Sequence, residues 1–213
     1  MKTRPNLYPT ILSVLLLIPV KESVMATEEP QYTVLKNDGD FEIRRYAPYI
    51  VAETVVTNAD QESGTNIGFR RLAGFIFGKN RTKESIEMTA PVTTTRSEKI
   101  AMTAPVETRR SGNDMVMAFM MPSQFTLETL PEPTDPEVLI RSVPERVMAV
   151  ITFSGSWSEE RFQAQTANLQ EWLRKHDVQA LGAPVVARYN APWTPWFMRR
   201  NEVQIEVPGT ITH

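Results

Sequence analysis

The sequence predicts an α+β protein made of duplicated β-β-α-β units, their sheets joined into one curved β structure with a helix on each side. Three observations predict it. Residues echo one another at an offset of 97, Ile43-Arg44, Ile50 and Ala52 being matched by Ile140-Arg141, Val147 and Ala149, with Pro48 and Pro144 near the same turn. The helical stripes keep that offset, Leu72, Phe75 and Ile76 corresponding to Leu169, Trp172 and Leu173. Short apolar runs bounded by Gly, Pro, Asn and Asp flank both helical stretches, the pattern of strands and turns. The pseudo-repeats span about 32–121 and 137–207, and neither half is large enough to bury a helix face alone.

The first 26 residues stand apart. Lys2 and Arg4 make a basic start, Ile11 to Val20 is an apolar run of ten, and Val24-Met25-Ala26 supplies a cleavage site. This is the plan of a secretory signal peptide cut after Ala26, and ten apolar residues fall short of the roughly 20 that span a bilayer. The expected mature chain, 27–213, is a single domain exported to a periplasmic or extracellular compartment. Without Lys2, Arg4, Lys21 and Glu22 it carries 20 basic and 24 acidic residues, a balance that does not invite nucleic acid. No later run is apolar enough to insert stably in a membrane, and with no cysteine the core must hold the chain without disulfides.

Along the chain, the first strand begins at Tyr32, and Asn37-Asp38-Gly39-Asp40 is a hairpin turn because Gly tolerates positive φ. Phe41 to Tyr46 is the next strand, broken by Ala47-Pro48, with Tyr49 to Val56 running back beside it. Asn58 opens a helix with Gln61 completing a capping box. Phe69, Leu72, Ala73 and Ile76 make its apolar stripe, flanked by Arg70 and Arg71, and the helix stops near Gly78. The phrase Met-Thr-Ala-Pro-Val then occurs twice, at 88–92 and 102–106, which reads as two adjacent strands. Ser111-Gly112-Asn113 is a turn, Met115 to Met121 a buried strand, and proline-rich Thr129 to Pro136 a linker-like segment. Ser156 and Glu159 cap the second helix. Pro184–Tyr189 and Glu202–Val207 close the second half as strands. Between them, Asn190 to Arg200 is dense in aromatics and proline, and either plugs the core or lines a ligand mouth.

Catalytic machinery is hard to assemble from these residue types. Two histidines and no cysteine exclude Cys–His catalysis and the usual thiolate or multi-His zinc sites. His176 suits the negative end of the second helix, and Glu159-Glu160 suit its positive end. The spacing of Gly64, Gly68, Gly74 and Gly78 permits close approach of sheet, loop or ligand to the first helix. Met88, Met102, Met115, Met117, Met120 and Met121 fill irregular core space or contact a flat ligand.

Several stretches together resemble the SOUL haem-binding family over about Tyr32 to Val207. They are FEIRRYAPYIVAET at 41–54, GFRRLAGFIFGKN at 68–80, both MTAPV phrases, and YNAPWTPWFMRRNEVQIEV at 189–207. The resemblance implies a twisted β-barrel-like sheet flanked by two helices and non-catalytic binding of haem or related tetrapyrroles. It places the ligand against a helix face carrying Asn66, Phe69, Arg70, Ala73, Gly74 and Phe77, with the aromatic loop contributing around Thr194. Arginine there would pair with propionates bidentately. Arg45 stands where an animal member has its proposed axial histidine, and Gly74 stands where another has a lysine. The implied site is therefore a hydrophobic clamp for a flat macrocycle, with a Met or Tyr ligand to iron or none. The alternative is a module for another small amphipathic ligand or a protein partner.

Overall fold

The computed structural model describes residues 27–82 and 97–209. The expected signal segment, the first MTAPV copy and His213 lie outside them. Strand β1 (Tyr32–Asp38) turns through Gly39, at φ +63°, into β2 (Phe41–Tyr46), which gives the expected hairpin. Next come β3 (Tyr49–Val56), helix α1 (Gln61–Ile76), β4 (Asn80–Arg81), β5 (Val106–Ser111) and β6 (Asp114–Met120). The second half holds β7 (Glu132–Pro133), β8 (Val138–Val143), β9 (Arg146–Phe153), helix α2 (Glu159–Lys175), β10 (Val185–Arg188) and β11 (Asn201–Val207).

Nine strands form one antiparallel sheet in the order β1-β2-β9-β11-β10-β5-β6-β3-β8. Apart from β1, the order is symmetric about the β10–β5 pair. The strands β2 and β3 are not neighbours, contrary to the hairpin read from the sequence: β2 pairs with β9, and β3 with β6 and β8. Each half lends one strand to the other. The exchange is register-true, because Phe41 opposite Ile151 and Val138 opposite Thr54 are the same pairing displaced by 97 residues. Alternating apolarity decides which face a strand buries but carries no information on its neighbour, so the exchange was invisible in the sequence.

The helix starts also differ from expectation. Asp60 caps α1, its Oδ1 accepting the Ser63 N–H at 2.8 Å, while Asn58 adopts φ +48° and donates its N–H to Asp114. Ser158, not Ser156, caps α2 by accepting the Arg161 N–H. Each stretch offers two capping residues, and the one immediately before the first helical turn takes the role.

Both helices lie on one face of the sheet, not one on each side as the sequence suggests, because the paired residues Val203, Val186, Thr108 and Met117 carry that face from α2 to α1. Under α2, Ile43, Ala149, Leu169, Leu173, Val203 and Ile205 form one core cluster; under α1, Ala52, Leu72, Phe75, Ile76, Met117 and Phe119 form the other. The stripe that α1 buries runs Gly64, Gly68, Leu72, Phe75 and Ile76, so Phe69 and Ala73 are at its margin rather than at its centre. Glycine decides that rotation. A Cβ on Gly64 would lie 3.1 Å from Met115 Sδ, and one on Gly68 would lie 3.2 Å from Met117 Cβ. Small residues here let the helix backbone settle onto the β6 methionines, and Met115, Met117, Met120 and Met121 are all core residues.

Two irregular segments are tied down. The second MTAPV copy is not a strand until Val106: Thr103 donates its hydroxyl to the Met120 carbonyl, and Ala104 and Pro105 are buried. The proline-rich segment is anchored by buried Leu130 and by β7, which pairs with β4. Buried Asn80 joins these parts, donating to the carbonyls of Phe75 and Glu98 and accepting the Glu98 N–H.

The core-plug reading of the aromatic loop is corrected. Trp193 is 86% exposed, and Trp196, Phe197 and Met198 are each at least 60% exposed on a single 3-10 turn. The space beneath the second half is already filled by Phe162, Leu169 and Trp172. Substituting Gly68→Val should push α1 off Met117, destabilising the fold by about 1–3 kcal/mol as overpacking does, measurable as a lower urea midpoint.

Candidate functional site

An α-helix places residues three, four, seven and eleven apart on one side. Asn66, Phe69, Arg70 and Ala73, continued by the C-cap residue Phe77, therefore share an outer stripe of α1 whose Phe69 and Ala73 border the buried one, with Gly74 beside it. Asn66, Phe69, Arg70 and Phe77 are exposed, Phe77 at 60%, while Phe69 rests edge-on against buried Phe119 at 5.5 Å. Arg71, its neighbour, is committed to structure, donating to Thr54 and the Val55 carbonyl and lying 3.6 Å from Glu137. No carboxylate among the described residues lies within ion-pair distance of Arg70.

Thr194 belongs to a differently anchored unit. Its carbonyl accepts from Arg199 Nε at 2.8 Å, and the Arg199 guanidinium stacks 4.4 Å over Trp157, just before α2. Strand register still places both units at one end of the sheet. Gly64 and Gly68 meet Met115 and Met117 in turn, so α1 runs along β6 toward Phe119, which pairs with Val106. Val106 pairs with Arg188, where the aromatic loop begins.

The opposite face of the sheet carries what sequence reasoning missed. On β11, Val203, Ile205 and Val207 face α2, which turns Glu202 and Gln204 to the reverse side, where curling of the sheet buries them completely or nearly so. Glu202 Oε1 accepts from Arg44 Nη1 at 3.0 Å and from Arg200 Nη2 at 2.9 Å; Oε2 accepts from Tyr189 and Gln204, both at 2.8 Å. Arg44 also donates to the Tyr46 hydroxyl and covers the Tyr32 ring. Burial alone raises the carboxyl pKa, but attraction to Arg44 and Arg200 and the hydrogen bonds outweigh it, holding Glu202 below the ordinary carboxylate value. Burial pushes the Tyr46 and Tyr189 hydroxyls up, so both stay protonated.

This network removes Tyr46 as an iron ligand, because its oxygen is buried and hydrogen-bonded to Arg44 and Gln204. His176 caps α2 as expected, its Nδ1 2.8 Å from the Trp172 carbonyl, and Arg45 faces Glu145 at 3.7 Å. No cluster of three His, Cys, Asp or Glu side chains suited to a metal occurs among the described residues. The α1 stripe thus fits a flat organic acid, with two exposed rings, small Ala73 between them, and an uncommitted guanidinium. It supplies no histidine for iron.

Fold and site together define a duplicated α+β module with an open amphipathic helix face. The model of the SOUL heme-binding protein family matches residues 27–206, and the chain belongs to that family. It is 31% identical over 167 residues to Heme-binding protein 2 of Homo sapiens, covering 78% of this chain and 77% of that one. To Heme-binding protein 2 of Mus musculus it is 28% identical over 177 residues, covering 79% and 82%. Among solved structures, the EcmrR C-terminal domain superposes with a TM-score of 0.58 at 11% identity, over 84% of this chain and 99% of that chain. A hydrolase from Listeria innocua gives 0.55 at 8%, over 82% and 94%. At such identity these two likenesses concern the fold alone.

Because the folded Glu202 carboxyl lies below its unfolded value, near about 4.3, its contribution to stability is present above that value and lost as pH falls through the folded one. A calorimetric series from pH 7 to pH 3 should show the Tm of Glu202→Gln falling less than that of the parent protein. Arg44→Leu removes one partner of a buried charge and should cost about 3–5 kcal/mol at pH 7, read by urea unfolding.

Proposed function

We propose that the chain is an exported, non-catalytic tetrapyrrole-binding protein that holds the macrocycle against the outer stripe of α1. The single observation that carries this reading is that stripe: exposed Phe69 and Phe77 on either side of Ala73, with Arg70 beside them free of a carboxylate partner among the described residues. Membership of the SOUL family and similarity to proteins named Heme-binding protein 2 support haem as the ligand. Export rests on the basic, apolar and small-residue plan of residues 1–26.

In this reading Phe69 and Phe77 contact the ring faces or edges, small Ala73 keeps the surface between them low, and the Lys79 side chain lies over Gly74. Arg70 pairs with a propionate, and the Asn66 amide donates or accepts at the polar rim. Haem, if bound, would supply an iron centre able to take a ligand from the protein. Among the described residues the exposed thioethers Met102 and Met198 remain as possible soft ligands, His176 and Tyr46 being engaged elsewhere. Binding that rests on ring contact and propionate pairing discriminates weakly between haem and metal-free porphyrin. No helix among the described residues is long and apolar enough to cross a membrane.

The test is a spectroscopic titration of residues 27–213 with ferric haem and, in parallel, protoporphyrin. Both should bind saturably with similar affinity, and Arg70→Gln should weaken both about tenfold, the worth of one charge-assisted contact of about 1.4 kcal/mol. Unaltered ligand absorbance at micromolar protein would sink the proposal. Binding of haem alone would instead require an iron ligand, to be sought by substituting Met102 and Met198.

A further inference from the structure

Beside the first turns of α2 the structure holds an open cavity of about 650 Å³ that has no part in the α1 stripe. Its lining comes from the end of β9 with Phe153, from Arg161 and Gln165, one turn apart on α2, from Met198, Arg199 and Arg200 at the end of the aromatic loop, and from Asp40. A buried residue shapes it. Asn201 accepts the Trp157 Nε1–H at 2.8 Å and donates to the Gly155 carbonyl at 3.3 Å, which fixes the loop between β9 and α2. Gly155 has φ +132°, and a Cβ there would lie 2.6 Å from Arg161 Cζ. Glycine thus lets the Arg161 guanidinium lie against the loop backbone, facing the cavity.

The charges around this cavity are not balanced. Arg200 is neutralised by Glu29 and Glu202. Arg199 spends two N–H groups on the carbonyls of Pro192 and Thr194 and stacks on Trp157. Arg188 bonds Thr108, lies 4.9 Å from the Phe162 ring, and burial lowers it to about 10, still fully charged at neutral pH. None of Arg161, Arg188 and Arg199 has a carboxylate within ion-pair distance among the described residues, although Glu159 attracts Arg188 from farther off. Arg161 and Arg199 line the cavity beside Met198 and Phe153, and behind them Arg188 lies 5.9 Å from the Trp157 ring that Arg199 covers, an arrangement that suits an anion carrying apolar surface. The guanidinium fork matches a carboxylate. The Asp40 carboxylate in the lining raises the cost of a dianion such as phosphate.

We propose that this cavity is a second ligand site, independent of the α1 stripe, which takes a monoanionic amphipathic carboxylic acid. Its head group sits between Arg161 and Arg199 with the Gln165 amide as a further donor, and its apolar body crosses Met198 toward the exposed aromatic turn.

The probe is laurate, below its micelle threshold, titrated into the purified protein at pH 7 and followed by calorimetry and tryptophan fluorescence. One saturable equivalent is expected, with dodecyltrimethylammonium failing to bind and inorganic phosphate competing poorly. Arg161→Gln should weaken laurate tenfold or more, and Arg70→Gln should leave it unchanged. Arg161 is exposed, so its removal should not disturb the fold, which circular dichroism checks; Gly155→Ala, which displaces the guanidinium, should act in the same direction. Unchanged laurate affinity in Arg161→Gln, equal binding of the cationic detergent, or competition by phosphate at laurate-like concentration would each overturn the site. Ferric haem titrated alongside separates the two readings: failure of haem to bind the parent protein, or unchanged haem affinity in Arg70→Gln, with laurate binding intact counts against the α1 stripe alone.

Discussion

The exchange of β2 and β8 between the halves is the constraint on which the rest depends. A three-stranded half with one helix leaves an open edge beside β9 or β3, and unpaired edges are both unsatisfied and prone to association. Receiving a strand from the other half fills that edge, and the shared register makes the two fillings equivalent. Nine strands thereby become one sheet, and both helices find their apolar floor on the same side of it.

The reverse face shows what holds the exchanged strands. Arg44 on β2 reaches across β9 to Glu202, which also takes Arg200; Arg141, 97 residues later on β8, reaches Glu53, which also takes Arg109. Both halves therefore carry an arginine–glutamate–arginine triad at the strand exchange. They differ in solvent. Glu202 is fully buried, whereas Glu53 keeps some exposure, and Arg141 is far more open than Arg44 while Arg109 and Arg200 are equally exposed, so the first triad leaves the costlier orphan charge when Arg44 is lost. Near the pseudo-twofold axis the equivalent residues Tyr49 and Arg146 touch each other and share Glu107.

Divergence of the halves has produced two surfaces of different chemistry. In the first half, Gly64 and Gly68 let α1 sink onto Met115 and Met117, which leaves a bare outer stripe with Phe69, Phe77 and Arg70. At the position of Met115 the second half carries Asn201, whose amide organises Trp157 and Gly155 into the mouth of a cavity. The β5–β6 turn is replaced there by the long aromatic loop, rigidified by Arg199. The α1 stripe suits a broad flat ligand, and the α2 cavity a narrower one with a single acidic head.

The α+β class, the 97-residue duplication and most strand positions were legible in the sequence, because apolar period and turn chemistry are local properties that each segment states for itself. The buried faces of the helices were legible in part: Leu72, Phe75 and Ile76, with their counterparts Leu169, Trp172 and Leu173, lie in the core, while Phe69 does not. Which strand neighbours which, and the burial of Arg44, Glu202 and Gln204, were decided only in the tertiary structure. Alternation marks these three as turned away from the helices, and nothing in their own segments says that the sheet curls far enough to cover them. The meeting of Arg188 and Arg199 at Trp157, and of Arg161 and Arg199 around one cavity, has the same origin. Those residues meet because β10, α2 and the aromatic loop converge at one end of the sheet, and convergence of distant segments is set by long-range pairing, to which no local pattern of residues corresponds.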